Sequence, residues 1–197
     1  MARPKLQFWF EFASTYSYLS VMRIDTLAAD AGVEVEWHPF WLGPIFKAQG
    51  WDSSPFNLYP VKGAYMWRDM ERLCAARGLP FKRPDPFPQN SVLAARTALL
   101  ALKHPEGPAF CRAVYAGEFG EGRSIDDPTF LGQLLSSCGL PSALVEEANS
   151  DAGKQGLRDS VAEAMRLGIF GAPSFIFEGE LFWGDDRLEM TLTRAAA

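Results

Sequence analysis

Ser14 is the residue whose type and position best suit chemistry, because it stands between two differently patterned segments. Before it, the side chains alternate as in a strand, with Phe10 and Phe12 on one side and Glu11 on the other. After it, residues 16–31 carry apolar side chains at helical spacing. A serine at such a junction either caps the helix by accepting from its first N–H groups or donates its hydroxyl proton to a bound anion, such as a thiolate.

The cysteines and histidines offer no competing chemistry. Cys74, Cys111 and Cys138 are far apart, and none belongs to a C-x-x-C pair, so we predict three reduced, packed thiols. With only His38 and His104 beside them, no group of residues has the spacing of a metal site. The candidate chemistry therefore depends on the hydroxyl group of a serine.

The pattern of elements is strand, helix and strand at the N-terminus, then helices, then strands again. We predict strands over 5–12 and 33–39, joined by the helix 16–31, so that the two strands are parallel with a right-handed crossover. Residues 41–60 and the proline-rich stretch 81–90 are predicted to be irregular. The remaining predicted elements are helices at 63–76, 90–103, 106–119, 127–137, 141–149 and 151–167, strands at 172–179 and 180–183 around a turn at 179–180, and a final helix from 184.

This order predicts an α/β protein with a thioredoxin-like core and a large all-helical insertion. Both ends of the chain are needed to complete one sheet. We therefore predict a discontinuous thioredoxin-like domain, residues 1–39 and 151–197, and a helical insertion domain, residues 40–150.

In a thioredoxin-like arrangement, the loop around Ser14 meets the loop before the third core strand, which contains Ala172 and Pro173. A proline there suits a cis peptide bond, which exposes the backbone N–H and C=O of Ala172 to a peptide-like ligand. Ser14 stands where such folds carry a redox cysteine. A hydroxyl has no redox chemistry, but it can stabilise a nearby thiolate and lower the thiol pKa below its usual value of ~8.5. Glutathione is the natural thiol ligand for this arrangement.

Three segments, in order and over nearly the whole chain, resemble one family. They are FWFEFASTYSYLS near the N-terminus, VKGAYMWRDMERLCAARGLPF in the middle and GIFGAPSFIFEGELFWGDDRLEM near the C-terminus. Together they resemble the 2-hydroxychromene-2-carboxylate isomerases and the kappa-class glutathione transferases, which have a DsbA-like thioredoxin fold.

The resemblance implies where the ends and the centre of glutathione bind. Ser14 matches the serine that holds the glutathione sulfur as thiolate, and Ala172, before Pro173, matches the residue whose backbone pairs with the cysteinyl part. Asp185 and Asp186 match the pair that contacts the γ-glutamyl end. Asp186 can accept from the ammonium, while the helix N–H groups of 185–187 can hold the carboxylate.

The opposite end of glutathione is implied to lie near the middle segment. Lys62 matches a lysine near the glycyl carboxylate, and Asn57 corresponds to an asparagine in the same loop. Two positions depart from the family pattern. Thr15 stands in place of the usual proline, where it either changes the rigidity of the loop or offers a second hydroxyl, and Glu11 replaces an aspartate.

The activity implied is that of a glutathione-dependent isomerase acting on aromatic acids like 2-hydroxychromene-2-carboxylate. The thiolate adds to the ring carbon bearing oxygen, the ring opens, the bond rotates, and glutathione leaves unconsumed. We expect Trp41, Phe46 and Trp67 to face the flat substrate, and Lys47 or Arg83 to hold its carboxylate.

Three alternatives remain. A kappa-like glutathione transferase would consume glutathione, and a non-catalytic protein would bind glutathione or an aromatic acid without turnover. A thiol-disulfide oxidoreductase is disfavoured, since position 14 is not a cysteine and no C-x-x-C is present.

The composition and charge of the chain disfavour two classes of partner, nucleic acids and membranes. The net charge of −5 and the lack of a Lys/Arg run disfavour nucleic-acid binding. No apolar run approaches the ~20 residues of a membrane span, and the N-terminus lacks a signal-peptide pattern. We therefore expect a cytoplasmic protein without membrane contact, and the resemblance suggests a homodimer that takes part in aromatic compound degradation.

Overall fold

A four-stranded mixed sheet lies at the centre of the computed structural model, which describes residues 3–197. The strand order is β2-β1-β3-β4, and the strands are β1 (Lys5–Phe10), β2 (Glu34–Pro39), β3 (Ser174–Phe177) and β4 (Glu180–Trp183). β1 pairs with β2 in parallel, as predicted, while β3 is antiparallel to both β1 and β4. The two ends of the chain therefore complete one sheet.

Helices cover both faces of the sheet. They are α1 (Thr15–Val21), α2 (Ile24–Ala31), α3 (Leu42–Ala48), α4 (Pro55–Leu58), α5 (Pro60–Ala76), α6 (Val92–Ala101), α7 (Gly107–Tyr115), α8 (Pro128–Ser137), α9 (Leu144–Ala148), α10 (Asp151–Arg166) and α11 (Leu188–Ala195), with a π-helical segment at Ala116–Glu121 and a 3₁₀ turn at Asp185–Arg187. Residues 40–150, all of which are described, consist of helices joined by loops and turns, and they contain no strand. The helical insertion is thus confirmed as part of the fold class.

The core continues from the sheet into the insertion. Phe8 and Phe175 in the sheet belong to the same buried cluster as Phe110 and Leu131 in the insertion. A second, smaller cluster on the other face contains Trp9, because alternate residues of β1 point to opposite sides. The division into two domains at residues 40 and 150 stays a prediction, and one continuous apolar cluster crosses both boundaries.

The predicted helix 16–31 is wrong as a single element. The structure divides it into α1 and α2 at Met22 and Arg23, where Arg23 leaves helical geometry with φ −135° and ψ −14°. The Arg23 side chain donates to the buried Asp185 carboxylate. The apolar spacing predicted helical structure over this segment but not its division, which coincides with a distant ion pair that sequence periodicity does not report.

The prediction that residues 41–60 are irregular is also wrong, because α3 and α4 lie there. Ser54 caps α4 by accepting from the N–H of Phe56 at 3.3 Å, and Pro55 occupies the first helical position. Proline suits that position because its missing N–H is not needed in the first turn. The proline content of the segment therefore begins a helix at this point. In contrast, residues 81–90 have no regular helix or strand, as predicted.

Several boundaries differ from the prediction by a few residues. β1 ends at Phe10 and not at residue 12, and β3 begins at Ser174 and not at residue 172. The hairpin turn is Glu178–Gly179, with φ of 51° and 80°, so it lies one residue earlier than predicted. Two successive left-handed residues match the twist of a tight hairpin, which explains the glycine. None of the helices in the described chain has the length and apolar character needed to cross a membrane.

Candidate active site

Ser14 occupies the junction between β1 and α1 and makes contacts in both directions. Its Oγ accepts from the N–H of Ser17 at 3.3 Å, so it is the N-cap of α1. The same hydroxyl donates to the carbonyl oxygen of Ala172 at 2.9 Å, across a separation of 158 residues. The structure therefore brings together the two loops that the sequence predicts to meet, and the Ser14 side chain remains partly exposed.

The proline loop continues the site towards the end of β4. The Ala172–Pro173 bond is cis. The Pro173 carbonyl accepts from the N–H of Gly184 at 2.9 Å. Gly184 has φ 110°, and a Cβ there would lie 2.6 Å from Oδ1 of Asp186, so the Asp186 carboxylate lies directly over this glycine. Ser14, Ala172, Pro173 and Asp186 are therefore joined by a chain of short contacts.

Asp185 is oriented differently from its neighbour. Its side chain is 5% exposed, and its carboxylate accepts from Ser20 Oγ at 2.9 Å, from Arg23 Nη2 at 3.1 Å and from Arg77 Nη2 at 2.7 Å. These partners come from α1, the α1–α2 junction and the C-terminus of α5. The Asp185 side chain thus anchors the turn that carries Asp186, while the Asp186 side chain is exposed and pairs with Arg187 at 2.8 Å.

Asn57 and Lys62 lie on the α4–α5 side of the site. Asn57 Nδ2 donates to the Phe87 carbonyl at 3.0 Å, and Lys62 Nζ lies 5.1 Å from the centre of the Tyr59 ring. Both side chains are exposed. Their described contacts stay within residues 53–62 and the loop 81–90, and none of them involves Ser14.

The α4–α5 side is attached to α1 through Tyr16. The Tyr16 hydroxyl donates to Asp69 Oδ2 at 3.0 Å, and its ring lies 6.3 Å from that of Phe56. Since Tyr16 is two residues from Ser14, these contacts join α4 and α5 to the Ser14 loop.

The aromatic residues predicted to face a substrate fall into two groups. Trp67 packs against Phe87 at 4.6 Å and beneath the guanidinium of Arg83 at 4.5 Å, whereas Phe46 packs against Trp51 at 5.7 Å. Trp41 and Lys47 lie at the two ends of α3. The structure therefore does not gather the predicted aromatic and cationic residues into one pocket wall.

A different aromatic pair stands beside Ala172. Phe170 and Trp183 have ring centres 5.0 Å apart and are 45% and 53% exposed. A Cβ on Gly171 would lie 2.5 Å from the Trp183 Nε1, so the indole rests on the backbone next to Ala172. Sequence reasoning missed this pair, although both residues flank the proline loop in the third quoted segment.

Glu11 is buried, at 4% exposure. Its carbonyl oxygen accepts from the N–H of Ser14 at 3.0 Å and from the Tyr115 hydroxyl at 2.7 Å, while its carboxyl group contacts Ser91 Oγ. Burial raises the pKa of Glu11 to about 7, against the stabilising hydrogen bond from Ser91. The insertion supplies Ser91 and Tyr115, so it completes the inner side of the Ser14 loop.

The thiols of the chain are not part of this surface. Cys74 and Cys111 are buried, and Cys138 is partly exposed at the end of α8. Burial raises the pKa of Cys74 to about 11, which disfavours its reactive thiolate form. Among residues 3–197, no three histidine, cysteine or acidic side chains come together in a way that suits a metal ion.

Comparison with known proteins places this geometry in a family. A DSBA-like thioredoxin domain model matches residues 5–195. A 2-hydroxychromene-2-carboxylate isomerase from Sphingobium xenophagum is 32% identical over 186 residues, covering 93% of this chain and 94% of the relative. Glutathione S-transferase kappa 1 from Caenorhabditis elegans is 23% identical, with 95% and 88% covered.

Among solved structures, a 2-hydroxychromene-2-carboxylate isomerase superimposes with a TM-score of 0.87 at 24% identity, covering 96% of this chain and 93% of that one. The predicted thioredoxin-like fold with a helical insertion is thereby confirmed. The relatives are isomerases and glutathione transferases, so the comparison supports an enzyme. The chain belongs to the DsbA-like thioredoxin family, in the group formed by the 2-hydroxychromene-2-carboxylate isomerases and the kappa-class glutathione transferases.

Proposed function

We propose that this protein is a glutathione-dependent isomerase of aromatic acids that resemble 2-hydroxychromene-2-carboxylate. The observation that carries the proposal is the 2.9 Å contact between the Ser14 hydroxyl and the Ala172 carbonyl, in a chain 32% identical to a 2-hydroxychromene-2-carboxylate isomerase. In this proposal the glutathione thiolate is the nucleophile, and the Ser14 hydroxyl stabilises its charge.

Binding of glutathione replaces the hydrogen bond between Ser14 and Ala172 with two hydrogen bonds to the ligand. In the free protein the Ser14 proton points to the Ala172 carbonyl. When the thiolate binds, the hydroxyl turns towards the sulfur, because a hydrogen bond to a charged acceptor is stronger than one to a neutral carbonyl. The released Ala172 carbonyl then accepts from the cysteinyl N–H of glutathione, as an added strand would pair. Pro173 keeps this backbone edge beside Ser14.

The two ends of glutathione have different partners in this proposal. The Asp186 carboxylate accepts from the γ-glutamyl ammonium, and backbone N–H groups of the turn at Asp185–Arg187 hold the adjacent carboxylate. The Asp185 side chain is already occupied by Arg23 and Arg77, so its role is to position the turn. Lys62 and Asn57 hold the glycyl carboxylate from the α4–α5 side.

The reaction is covalent but does not consume glutathione. Opening of the ring exposes an α,β-unsaturated oxo acid. The thiolate adds to its β-carbon, the electron pair of the C=C bond moves onto the oxo group as an enolate, and the former double bond then rotates as a single bond until the enolate collapses and the C–S bond breaks. Expulsion of the thiolate restores the double bond and regenerates the cofactor. The exposed Phe170 and Trp183 rings beside Ala172 offer a flat apolar surface where such a substrate can lie next to the sulfur.

The first experiment is a glutathione titration that follows the ultraviolet absorbance of the thiolate at neutral pH. We expect a saturable signal in the wild type that is lost in Ser14→Ala. Ser136→Ala is the matched control, since this exposed hydroxyl bonds only to its own helix at Gly132. Absence of glutathione binding at cellular concentrations would contradict the proposal and leave Ser14 as a helix cap.

A kappa-like glutathione transferase is the second candidate, supported by the match to the kappa enzyme of Caenorhabditis elegans. The two activities differ in one measurable quantity, the total of free glutathione thiol. An isomerase converts a hydroxychromene acid while the free thiol stays constant, whereas a transferase loses one thiol per product. Binding without turnover of either substrate class would favour a non-catalytic protein.

The cytoplasmic location and the homodimer remain parts of this proposal. Glutathione is abundant in the cytoplasm, which suits a protein that holds it as a cofactor. Sedimentation equilibrium of the purified chain measures the oligomeric state, and a monomer at micromolar concentration would contradict the homodimer.

A further inference from the structure

A group of buried polar side chains lies directly beneath the Ser14 loop. We name it the buried acid cluster and define it as Glu11, Ser17, Ser91, Tyr115 and Glu118. Each of its members is no more than 4% exposed. Three of the five come from the helical insertion, where Ser91 precedes α6, Tyr115 ends α7 and Glu118 lies in the π-helical segment.

The cluster holds the backbone that presents Ser14. The Glu11 carbonyl accepts from both the Tyr115 hydroxyl, at 2.7 Å, and the Ser14 N–H, at 3.0 Å. The Glu11 carboxyl group bonds to Ser91. Two residues of the insertion therefore hold Glu11, whose carbonyl accepts from the Ser14 N–H, so the insertion helps to fix the backbone that carries the Ser14 hydroxyl.

Other polar atoms in the cluster lack a partner. Both carboxyl oxygens of Glu118 and the hydroxyl of Ser17 are buried without a hydrogen bond. A π-helical turn is a rare geometry that often marks functional positions in helices. A buried carboxylate without a partner is strongly destabilising, so Glu118 is stable there only when it carries a proton.

The acidic groups of the cluster act on one another. The Glu11 carboxyl group acts on Glu118, and Glu11, Glu118 and the Cys111 thiol act on the Tyr115 hydroxyl. Burial, together with repulsion from Glu11, raises the pKa of Glu118 well above its ordinary value. Two such carboxyl groups behave as one coupled pair in which the first proton lost makes the second harder to remove.

We propose that the buried acid cluster positions Ser14 for holding an anion, and that it does so only while Glu11 and Glu118 keep at least one proton between them. When both carboxyl groups are ionised, their repulsion separates the π-helical segment from the Ser14 loop and places added negative charge near the anion. The proposal assigns a regulation to the site of the proposed function and so rests on that function.

A reporter thiol tests the cluster without glutathione. Ser14→Cys is made in a Cys138→Ser background, because Cys138 is the partly exposed native cysteine while Cys74 and Cys111 are buried. The rate of alkylation of the introduced thiol is measured against pH. We expect the rate to change with pH in two steps, one for ionisation of the carboxyl pair and one for ionisation of the thiol, since the charge on the pair raises the thiol pKa. Adding Glu118→Gln should give a single step, and Glu121→Gln, an exposed glutamate of the same segment, should leave two.

The positioning role is tested by a matched pair of tyrosines. Tyr115→Phe removes the hydroxyl that grips Glu11, whereas Tyr18→Phe removes an equally buried hydroxyl that donates to the Pro80 carbonyl at 2.8 Å. We expect Tyr115→Phe to slow alkylation at neutral pH about three- to tenfold, the rate equivalent of one hydrogen bond. Tyr18→Phe should leave the rate unchanged although both variants lose stability.

Equal alkylation rates in the two tyrosine variants, or a two-step profile that survives Glu118→Gln, would overturn the proposal. Ser91→Ala, which removes only the bond to the Glu11 carboxyl group, replaces Tyr115→Phe if that variant fails to fold, and its alkylation rate is read in the same way. A parallel glutathione titration of the chain with native Ser14 separates the two proposals. A responsive reporter without glutathione binding rejects the proposed function alone, and glutathione binding with an unresponsive reporter rejects this inference alone.

Discussion

Asp185 and Glu118 are both acidic side chains buried in the same molecule, but they are stabilised in opposite ways. Asp185 is surrounded by the guanidinium groups of Arg23 and Arg77 and by the hydroxyl of Ser20. Glu118 has no hydrogen-bond partner for either oxygen, and its charged neighbour is another acid, Glu11. The charge of Asp185 is compensated by two cations, while that of Glu118 is removed by a proton.

The difference shows what each site contributes. The Asp185 ion pairs join α1, α2, α5 and the turn before α11, so they hold the outer end of the candidate site together. The pair Glu11 and Glu118 lies under the inner side of the Ser14 loop and responds to pH. Asp185 therefore makes its end of the site rigid, while Glu118 makes the Ser14 loop sensitive to pH. Four measurements test that contrast.

The largest expected effect comes from removing the Asp185 carboxylate. Asp185→Ala removes the acidic partner of Arg77 and leaves the partly buried Arg23 with Glu189 alone, and the loss of one partner of a buried pair costs up to about 3–5 kcal/mol. Urea denaturation measures the free energy of unfolding. Asp186→Ala is the control, because that side chain is exposed and pairs only with its neighbour, so its variant should unfold near the wild-type midpoint. Equal midpoints for the two variants would show that the Asp185 ion pairs do not stabilise the fold.

The second effect is a loss of stability as the pH rises. The pKa of Glu11 is about 7 in the folded chain, against 4.5 for the ordinary group, and that of Glu118 is also raised. At these two groups the folded state binds more protons than the unfolded state within this window, so their contribution to stability is greatest below the ordinary carboxyl pKa and falls as the pH rises through about 7. For Glu11 alone the loss is about 3 kcal/mol. Unfolding free energies measured across this window check the sign, and a rise in stability with pH there would contradict it.

The third effect comes from removing one of the two cations. Arg77→Met keeps the apolar part of the side chain but withdraws the donor at 2.7 Å from Asp185, while Arg23 remains. A hydrogen bond to a charged group contributes about 1.5–3 kcal/mol, so the loss should be smaller than for Asp185→Ala. The double variant Asp185→Ala with Arg77→Met completes a mutant cycle. If the two losses simply add, the proposed coupling between these side chains is absent.

The smallest expected effect on stability is that of Glu118→Gln. The amide has the shape of a protonated carboxyl group, so below the raised pKa the change should be under about 1 kcal/mol. Above it the variant should be more stable than the wild type, because it has no proton to lose. The measurement is the same pH series of unfolding free energies. A parallel fall in both proteins would mean that Glu118 does not contribute to the pH dependence.

Short-range signals in the sequence predicted much of the fold. Asp127 followed by Pro128 begins α8, with Asp127 accepting from the N–H of Thr129 at 2.8 Å. Gly32 ends α2 with φ 70°, a left-handed conformation that favours glycine. These signals act between residues a few positions apart, so local patterns report them. The order of strands and helices then limits the topology to a thioredoxin-like sheet with a helical insertion.

The candidate site was predictable only in part. The order of elements predicted that the Ser14 and Ala172 loops meet. The family resemblance supplied the other predicted ligand residues. The exposed pair Phe170 and Trp183 was not predicted, since an aromatic residue beside a buried strand looks the same in sequence whether it is exposed or packed. Asp185 was assigned to the ligand, but its side chain points to two arginines that are 162 and 108 residues away in the chain.

The sequence by itself determined the class of fold, the serine at the junction of β1 and α1, and the lack of a paired cysteine, because these depend on residue type and local spacing. The tertiary structure decided where the charges went. It divided the first helical segment at Arg23, turned Asp185 inward to meet that arginine, and buried both Glu11 and, from the insertion, Glu118. The physical reason is that the cost of burying a charge depends on which groups surround it in space, and those groups come from distant parts of the chain.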